Sequence, residues 1–341
     1  MVAQIDGVYA RRRWSQTPAR LLAYGAFEGR PLATKGRWIN PAVFSLYRLW
    51  NAAPPLKRVD APVFIIGTGR SGTTILGVVL SAHPHAAFLN EPKALWHFAQ
   101  GDEDIIGSYA GAPGRLHLSA SDAGAPARRK LARVYGALLR LTGARVVIDK
   151  YPEFAFRVAY ARALFPDAKF LFLVRDGRDV TASISGWSQR NGVSEAGERH
   201  DWWGRNDQKW RILVDETVGS DPAFAARAAD LAAMEDHNLR AAYEWVVTMR
   251  AGLAAEAAHG DAILRVSYER LCAQPRPVLE EVSAFCGLAP SDAMLGYGEA
   301  VLSPTPHAAA PALPAWLEAP FEAVRAELGY GAPAASSSSP S

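Results

Sequence analysis

Five short, nearly uninterrupted apolar runs punctuate the chain: APVFIIG (61–67), AAFLN (86–90), RVVID (145–149), KFLFLV (169–174) and AILRVSY (262–268). Runs of this length without polar alternation predict strands covered on both faces. Between them the apolar period lengthens. TTILGVVLSAH follows the first run, EFAFRVAYARALF precedes the fourth, and residues 225–258 precede the fifth, each with helical spacing. The alternation predicts one α/β domain over residues 61–330, a parallel sheet flanked by helices on both faces. Residues 1–60 mix aromatics, arginines and prolines, and read as an N-terminal extension that either packs on the core or covers an acceptor. Residues 331–341 are Ser-rich with nothing to bury, which predicts a disordered tail.

Composition narrows the class without naming a ligand. A chain of 341 residues, 49% hydrophobic and 21% charged, can bury a full core. Its net charge of +3 is too small to call for nucleic acid. Cys272 and Cys286 fit neither a metal-ligand spacing nor a disulfide framework, and read as reduced core thiols. No apolar run reaches the roughly 20 residues of an integral membrane segment, and MVAQIDGVYARRRWSQ lacks a secretory core. The expectation is a cytoplasmic protein.

The chemistry concentrates in VFIIGTGRSGTTILGVVLSAHP, residues 63–84. A strand, a glycine-containing turn and a helix aim backbone N–H groups and a helix N-terminus at a phosphate. Gly67, four residues, then Gly72, Thr73 and Thr74 follow the outline of a P-loop, with Thr73 where that loop carries Lys. In a P-loop NTPase that Lys reaches the terminal phosphates and its hydroxyl neighbour holds Mg²⁺. A hydroxyl at the Lys position, with Arg70 inside the turn, suits an anion without a metal-bound triphosphate tail. Two rival readings stay open here: a P-loop kinase using Mg-ATP with Asp149 on the metal, and a non-catalytic nucleotide-binding module.

GTGRSGTTIL resembles the 5′-phosphosulfate loop of sulfotransferases that use 3′-phosphoadenosine 5′-phosphosulfate (PAPS). KFLFLVRDGRDVTASI is similar to that family's 3′-phosphate segment, whose Arg and Ser match Arg175 and Ser183. LRVSYERLCAQPRPVLEEVSAFCGL resembles its later strand and helix, whose nucleotide-side Tyr matches Tyr268. The similar segments span residues 62–98, 145–187 and 262–288. The resemblance implies a P-loop NTPase-like sulfotransferase fold. It also implies transfer of a sulfuryl group from PAPS, without a metal, to a hydroxyl or amine of a small molecule, glycan or peptide, releasing adenosine 3′,5′-bisphosphate. Ser71, Gly72, Thr73 and Thr74, with Arg70, would hold the 5′-phosphosulfate. NEPKALWHF looks most like the branch typified by protein-tyrosine sulfotransferases, which implies Glu91 as the base and Arg70 and Lys150 as cations over the transferring group.

Elementary chemistry agrees with several of these assignments. A guanidinium fork plus a hydroxyl suits a fixed ribose phosphate. Ligands of open α/β sheets bind outside the carboxyl ends of the strands, where Arg70, Glu91, Lys150 and Arg175 all fall. A carboxylate base works best with its pKa raised toward neutrality, which Leu95 and Trp96 are expected to assist. His83 and His97 are the competing bases, and Lys150 has Asp149 and Glu153 as competing salt-bridge partners. Asp179 reads as a helix-start residue. Ile75 stands where many members carry a Trp that stacks on adenine, so base contacts must come from elsewhere. Residues 303–307 are a candidate lid. Trp202, Trp203 and Trp210 form either an aromatic acceptor wall or ordinary helix packing. The sequence leaves the acceptor unnamed.

Overall fold

The computed structural model describes residues 2–30, 36–195 and 197–331, so residues 332–341 of the expected tail lie outside it. The five apolar runs form strands within a residue or two of their expected limits: β1 (Val63–Gly67), β2 (Ala86–Asn90), β3 (Val146–Lys150), β4 (Lys169–Val174) and, after a small antiparallel sheet of β5 (Val193–Glu195), β6 (Glu198–Asp201) and β7 (Gly204–Arg205), β8 (Ile263–Ser267). The main sheet has the order β2-β3-β1-β4-β8, and every neighbouring pair is parallel.

Side-chain alternation explains why the runs carry no polar positions. Phe64, Ile66, Phe170 and Phe172 enter one core, while Val63, Ile65, Leu171 and Leu173 enter the other. Both faces of a strand are therefore apolar. The helix Thr73–Ser81 seals the second core through Leu76, Val79 and Leu80. The helix Ala125–Thr142 seals the first through Leu131, Val134 and Tyr135. The N-terminal segment enters both cores, with Tyr9 in the second and Phe27 and Tyr47 in the first.

Three features depart from the sequence expectation. The helix expected over 225–258 is broken: Asp236 accepts from the backbone N–H groups of Asn238 and Leu239, and so starts the separate helix His237–His259 after the short Ala228–Ala232. A capping side chain offers the backbone partners that helix continuation would have supplied. The segment from residue 153 begins as a tight turn, Pro152–Phe156, and becomes α-helical only at Val158–Leu164. Between the two, buried Arg157 donates to Glu103 Oε2 at 2.9 Å and to the Leu116 carbonyl at 2.8 Å. The β5–β7 sheet had no legible pattern. Cys272 and Cys286 are free and buried. No helix among the described residues is long and apolar enough to cross a membrane.

Candidate active site

The sheet order lays the candidate residues out in a row. Reading across the carboxyl ends from β2 to β8, Glu91 follows β2, Lys150 ends β3, Arg70 lies in the loop after β1, Arg175 follows β4 and Tyr268 follows β8. Arg70 and Glu91 both hold left-handed backbone conformations, with φ of 70° and 49°. For residues with a Cβ this costs on the order of 1–3 kcal/mol and concentrates at functional sites.

Arg70, Gly72, Thr73, Thr74, Arg175, Ser183 and Tyr268 line one cleft of about 430 Å³. Gly72 precedes the helix Thr73–Ser81 with φ of 95°, leaving the first backbone N–H groups of that helix without intrahelical partners. Arg70 Nε donates to Ser183 Oγ at 3.1 Å, and Arg175 Nη1 donates to the Arg70 carbonyl at 3.3 Å. The Arg175 guanidinium also sits 4.4 Å above the centre of the Tyr268 ring. Burial and the nearby guanidiniums of Arg190 and Arg175 hold Arg70 below the usual arginine range. Cations crowded in this way create a positive field that an anion relieves. Ser71 is enclosed within the loop and does not line the cleft. Its Oγ has no hydrogen-bond partner among the described residues, and Arg175 Nε, also without a hydrogen bond, lies 3.7 Å from Asp179 Oδ2. Helix-start N–H groups beside two guanidiniums give the cleft the chemistry to hold anionic groups.

Tyr268 packs so tightly on the loop that a Cβ at Gly72 would lie 2.3 Å from Cδ2 of its ring. Gly72→Ala is therefore expected to push the loop and Tyr268 apart and weaken nucleotide binding at least about tenfold, the scale of one lost charge-assisted hydrogen bond. Titration calorimetry of the variant measures it. Wild-type affinity would mean that the loop does not hold the ligand.

On the other side of the loop lies a hollow of about 160 Å³, bounded by Gly69, Glu91, Lys93, Trp187, Trp202 and Lys209 among others. Gly69 permits this arrangement, since a Cβ there would meet the Trp202 ring at 2.4 Å. Glu91 anchors its backbone N–H to the Lys150 carbonyl at 2.7 Å, and its Oε1 accepts from Lys150 Nζ. Its Oε2 lies 3.7 Å from Lys93 Nζ. The alternation continues: Lys93 donates to Glu153 Oε1 at 3.2 Å, Lys209 lies 3.5 Å from that oxygen and 2.6 Å from Glu244 Oε1, and Trp202 Nε1 donates to Glu244 Oε2 at 2.6 Å.

This network reverses one expectation. Burial pushes Glu91 up, but the Lys150 and Lys93 ammoniums outweigh it and hold the carboxyl below its ordinary value. Leu95 and Trp96 turn into the core instead, where Trp96 donates to Asp149 at 2.9 Å. Lys150 pairs with Glu91, not with Asp149 or Glu153, and lies buried behind it, lining neither hollow.

Residues 62–292 match the sequence profile of the sulfotransferase family. The chain belongs to the sulfotransferase family. Over 130 residues it is 30% identical to nodulation protein NoeE of Sinorhizobium fredii, a match covering 36% of this chain and 30% of that protein. The chain thus spans less than a third of the curated relative it matches. Its fold is similar to that of the sulfotransferase domain from the curacin biosynthetic pathway, with a TM-score of 0.50 at 16% identity, covering 81% of this chain and 100% of that domain.

In this member of the sulfotransferase family the remaining sequence candidates divide clearly. His83 accepts from His85 N at 3.0 Å and pairs with the Ala289 carbonyl at 2.9 Å, and His97 packs against Phe44 and Tyr109. Neither lines the cleft or the hollow. Trp202 lines the hollow, whereas Trp203 and Trp210 are buried in the core. Asp176, not Asp179, caps the helix Gly177–Asn191. Asp179 instead accepts from the Ala308 N–H at 2.6 Å and pairs with His307 Nδ1 at 3.1 Å, while Thr305 Oγ1 meets Arg175 Nη2 at 3.4 Å. The segment proposed as a lid is thus tied beside Arg175. Sequence reasoning missed Lys93, Lys209, Glu244 and Trp187. Lys93 stood inside the quoted NEPK motif, two residues from Glu91. Trp187 and Lys209 fell in the Trp-rich segment that carries Trp202 and Trp210, but nothing in the sequence linked them, or Glu244, to Glu91.

Proposed function

We propose that this sulfotransferase moves a sulfuryl group from PAPS to a hydroxyl or amine of an acceptor and releases adenosine 3′,5′-bisphosphate. The observation that carries this reading is the division of the crevice by one loop. A cleft lined by two guanidiniums lies on one side, and a hollow exposing an ionised carboxylate lies on the other. When bound, the donor supplies an activated sulfuryl group on its 5′-phosphate. The loop N–H groups with Thr73 and Thr74 would hold the 5′ end, with Ser71 enclosed behind them, Arg175 and Ser183 the 3′-phosphate, and Tyr268 the nucleotide flank. The hollow lined by Trp187 and Trp202 would take the acceptor.

Glu91 would accept the acceptor's proton. Its ion pair keeps it ionised and aimed, and Lys150 would change role as the proton arrives. Neutralising Glu91 leaves the Lys150 charge, buried behind the carboxylate, uncompensated, and its field would reach the transferring group through Glu91. Arg70, at the seam of the two hollows, would share that task. No Lys follows Gly72, and Asp149 is enclosed by Trp96 and Tyr135, so the kinase reading gains no metal-binding carboxylate.

Because Glu91 titrates below its ordinary value, the acid limb of kcat/KM is expected below about pH 4.3, the unperturbed glutamate value. A pH–rate profile checks this. A limb near pH 6.5, the histidine range, would move the base elsewhere. The reaction itself is tested by following bisphosphate release from PAPS with phenols, sugars and amines offered in turn. Release stimulated by one class supports the proposal, and release unaffected by all of them contradicts it.

A further inference from the structure

One end of the donor cleft is built by residues outside the span that matches the sulfotransferase family, residues 62–292. The loop, Arg175 and Ser183 provide its cationic and hydroxyl lining. Farther along the helix Thr73–Ser81, Ile75 and Val78 present an apolar surface, and the same cleft is completed there by Gln4, Asp6 and Tyr297. Phosphates suit the first lining, and a flat base edged by polar groups suits the second.

The N-terminal wall is firmly docked. Tyr9 is fully buried and its hydroxyl donates to the Ser81 carbonyl at 3.0 Å, while Arg12 donates to the Gly296 carbonyl at 2.8 Å. Asp6 Oδ1 accepts from the Tyr9 N–H at 2.6 Å and its Oδ2 from the Tyr297 hydroxyl at 3.1 Å. Gln4 Oε1 accepts from Arg20, itself buried against Glu28. Each carboxylate oxygen of Asp6 keeps a second lone pair, and Gln4 keeps the two donors of its amide nitrogen. The wall therefore offers an acceptor and a donor whose positions are set by their other bonds.

We propose that Gln4 and Asp6 form the base-reading wall of the donor cleft and select adenine over guanine. Adenine presents an amino donor beside a ring-nitrogen acceptor, which complements the Asp6 carboxylate and the Gln4 amide. Guanine places a carbonyl oxygen where adenine has the amino group, and two acceptors then face each other. Ile75 contributes apolar contact in place of a stacking aromatic. The inference rests on the PAPS reading above.

The test compares adenosine and guanosine 3′,5′-bisphosphates by calorimetry on the full chain and on Asp6→Asn and Gln4→Ala. Asn keeps an oxygen for the Tyr9 N–H, and without Gln4 the Arg20 guanidinium still has Glu28, so both variants should fold, melting only modestly below the wild type. The wild type should prefer the adenosine compound by about tenfold or more, the scale of a hydrogen bond to a charged group. Asp6→Asn should shrink that preference to within about threefold, and Gln4→Ala should weaken the adenosine compound by about three- to tenfold. Equal wild-type affinities, or variants that keep the wild-type ratio, would overturn this inference while leaving the donor reading intact. A wild type that binds neither nucleotide would overturn the donor reading, and this inference with it.

Discussion

Glu91→Gln is expected to lower turnover by about 10²-fold or more while leaving affinity for adenosine 3′,5′-bisphosphate within about twofold of wild type, the usual signature of a lost positioned base. Gln keeps the volume and one oxygen to accept from Lys150, so the donor cleft across the loop should be undisturbed. It cannot take up a proton. It also leaves Lys150, 2% exposed, without a compensating charge. Removing one partner of a buried pair destabilises, so the variant should melt somewhat below the wild type. Steady-state kinetics and calorimetry on the same preparation separate the effects. Unchanged turnover would strip Glu91 of its role, and lost nucleotide affinity would mean that the pair supports the donor side instead.

Arg175→Ala should act on the opposite side. The wild-type guanidinium bridges the Arg70 carbonyl, Thr305 and the Tyr268 ring, and its Nε lies 3.7 Å from Asp179 Oδ2. Losing a charge-assisted contact to a phosphate is expected to weaken adenosine 3′,5′-bisphosphate by about 10²-fold. ADP lacks the 3′-phosphate, so its affinity should change little. That difference distinguishes a phosphate contact from collapse of the cleft. Parallel losses for both nucleotides would assign Arg175 a structural role, holding Tyr268 and the segment around Thr305.

What the sequence disclosed follows from how local each feature is. The strand, loop and helix from Val63 to Ser81 are contiguous, and their apolar periods and glycines specify them directly. The row from Glu91 to Arg175 was legible because each residue follows its own strand, and parallel strands point their carboxyl ends one way. The ionisation of Glu91 was not legible. Its sign depends on Lys93, two residues on, together with Lys150, which reaches the carboxylate only once β2 and β3 pair. Lys209 and Glu244 come from two distant helices, and no periodicity joins them. Gln4 and Asp6 lie in a stretch whose aromatics and arginines resembled surface covering, yet the docking of Tyr9 brings them to the cleft. The break at Asp236 shows a further limit, since one capping side chain outweighed a long run of helix-forming residues.

The central claim is that the loop after β1 holds a nucleotide with separate 3′ and 5′ anionic groups and needs no metal to do so. The most direct measurement is a calorimetric titration of the purified protein with adenosine 3′,5′-bisphosphate in the presence of a chelator, set against ADP with Mg²⁺. Tight, metal-independent binding of the bisphosphate with weak binding of Mg·ADP is the predicted result. A preference for Mg·ADP would contradict the account and withdraw the roles given to Arg175, Ser183 and Glu91.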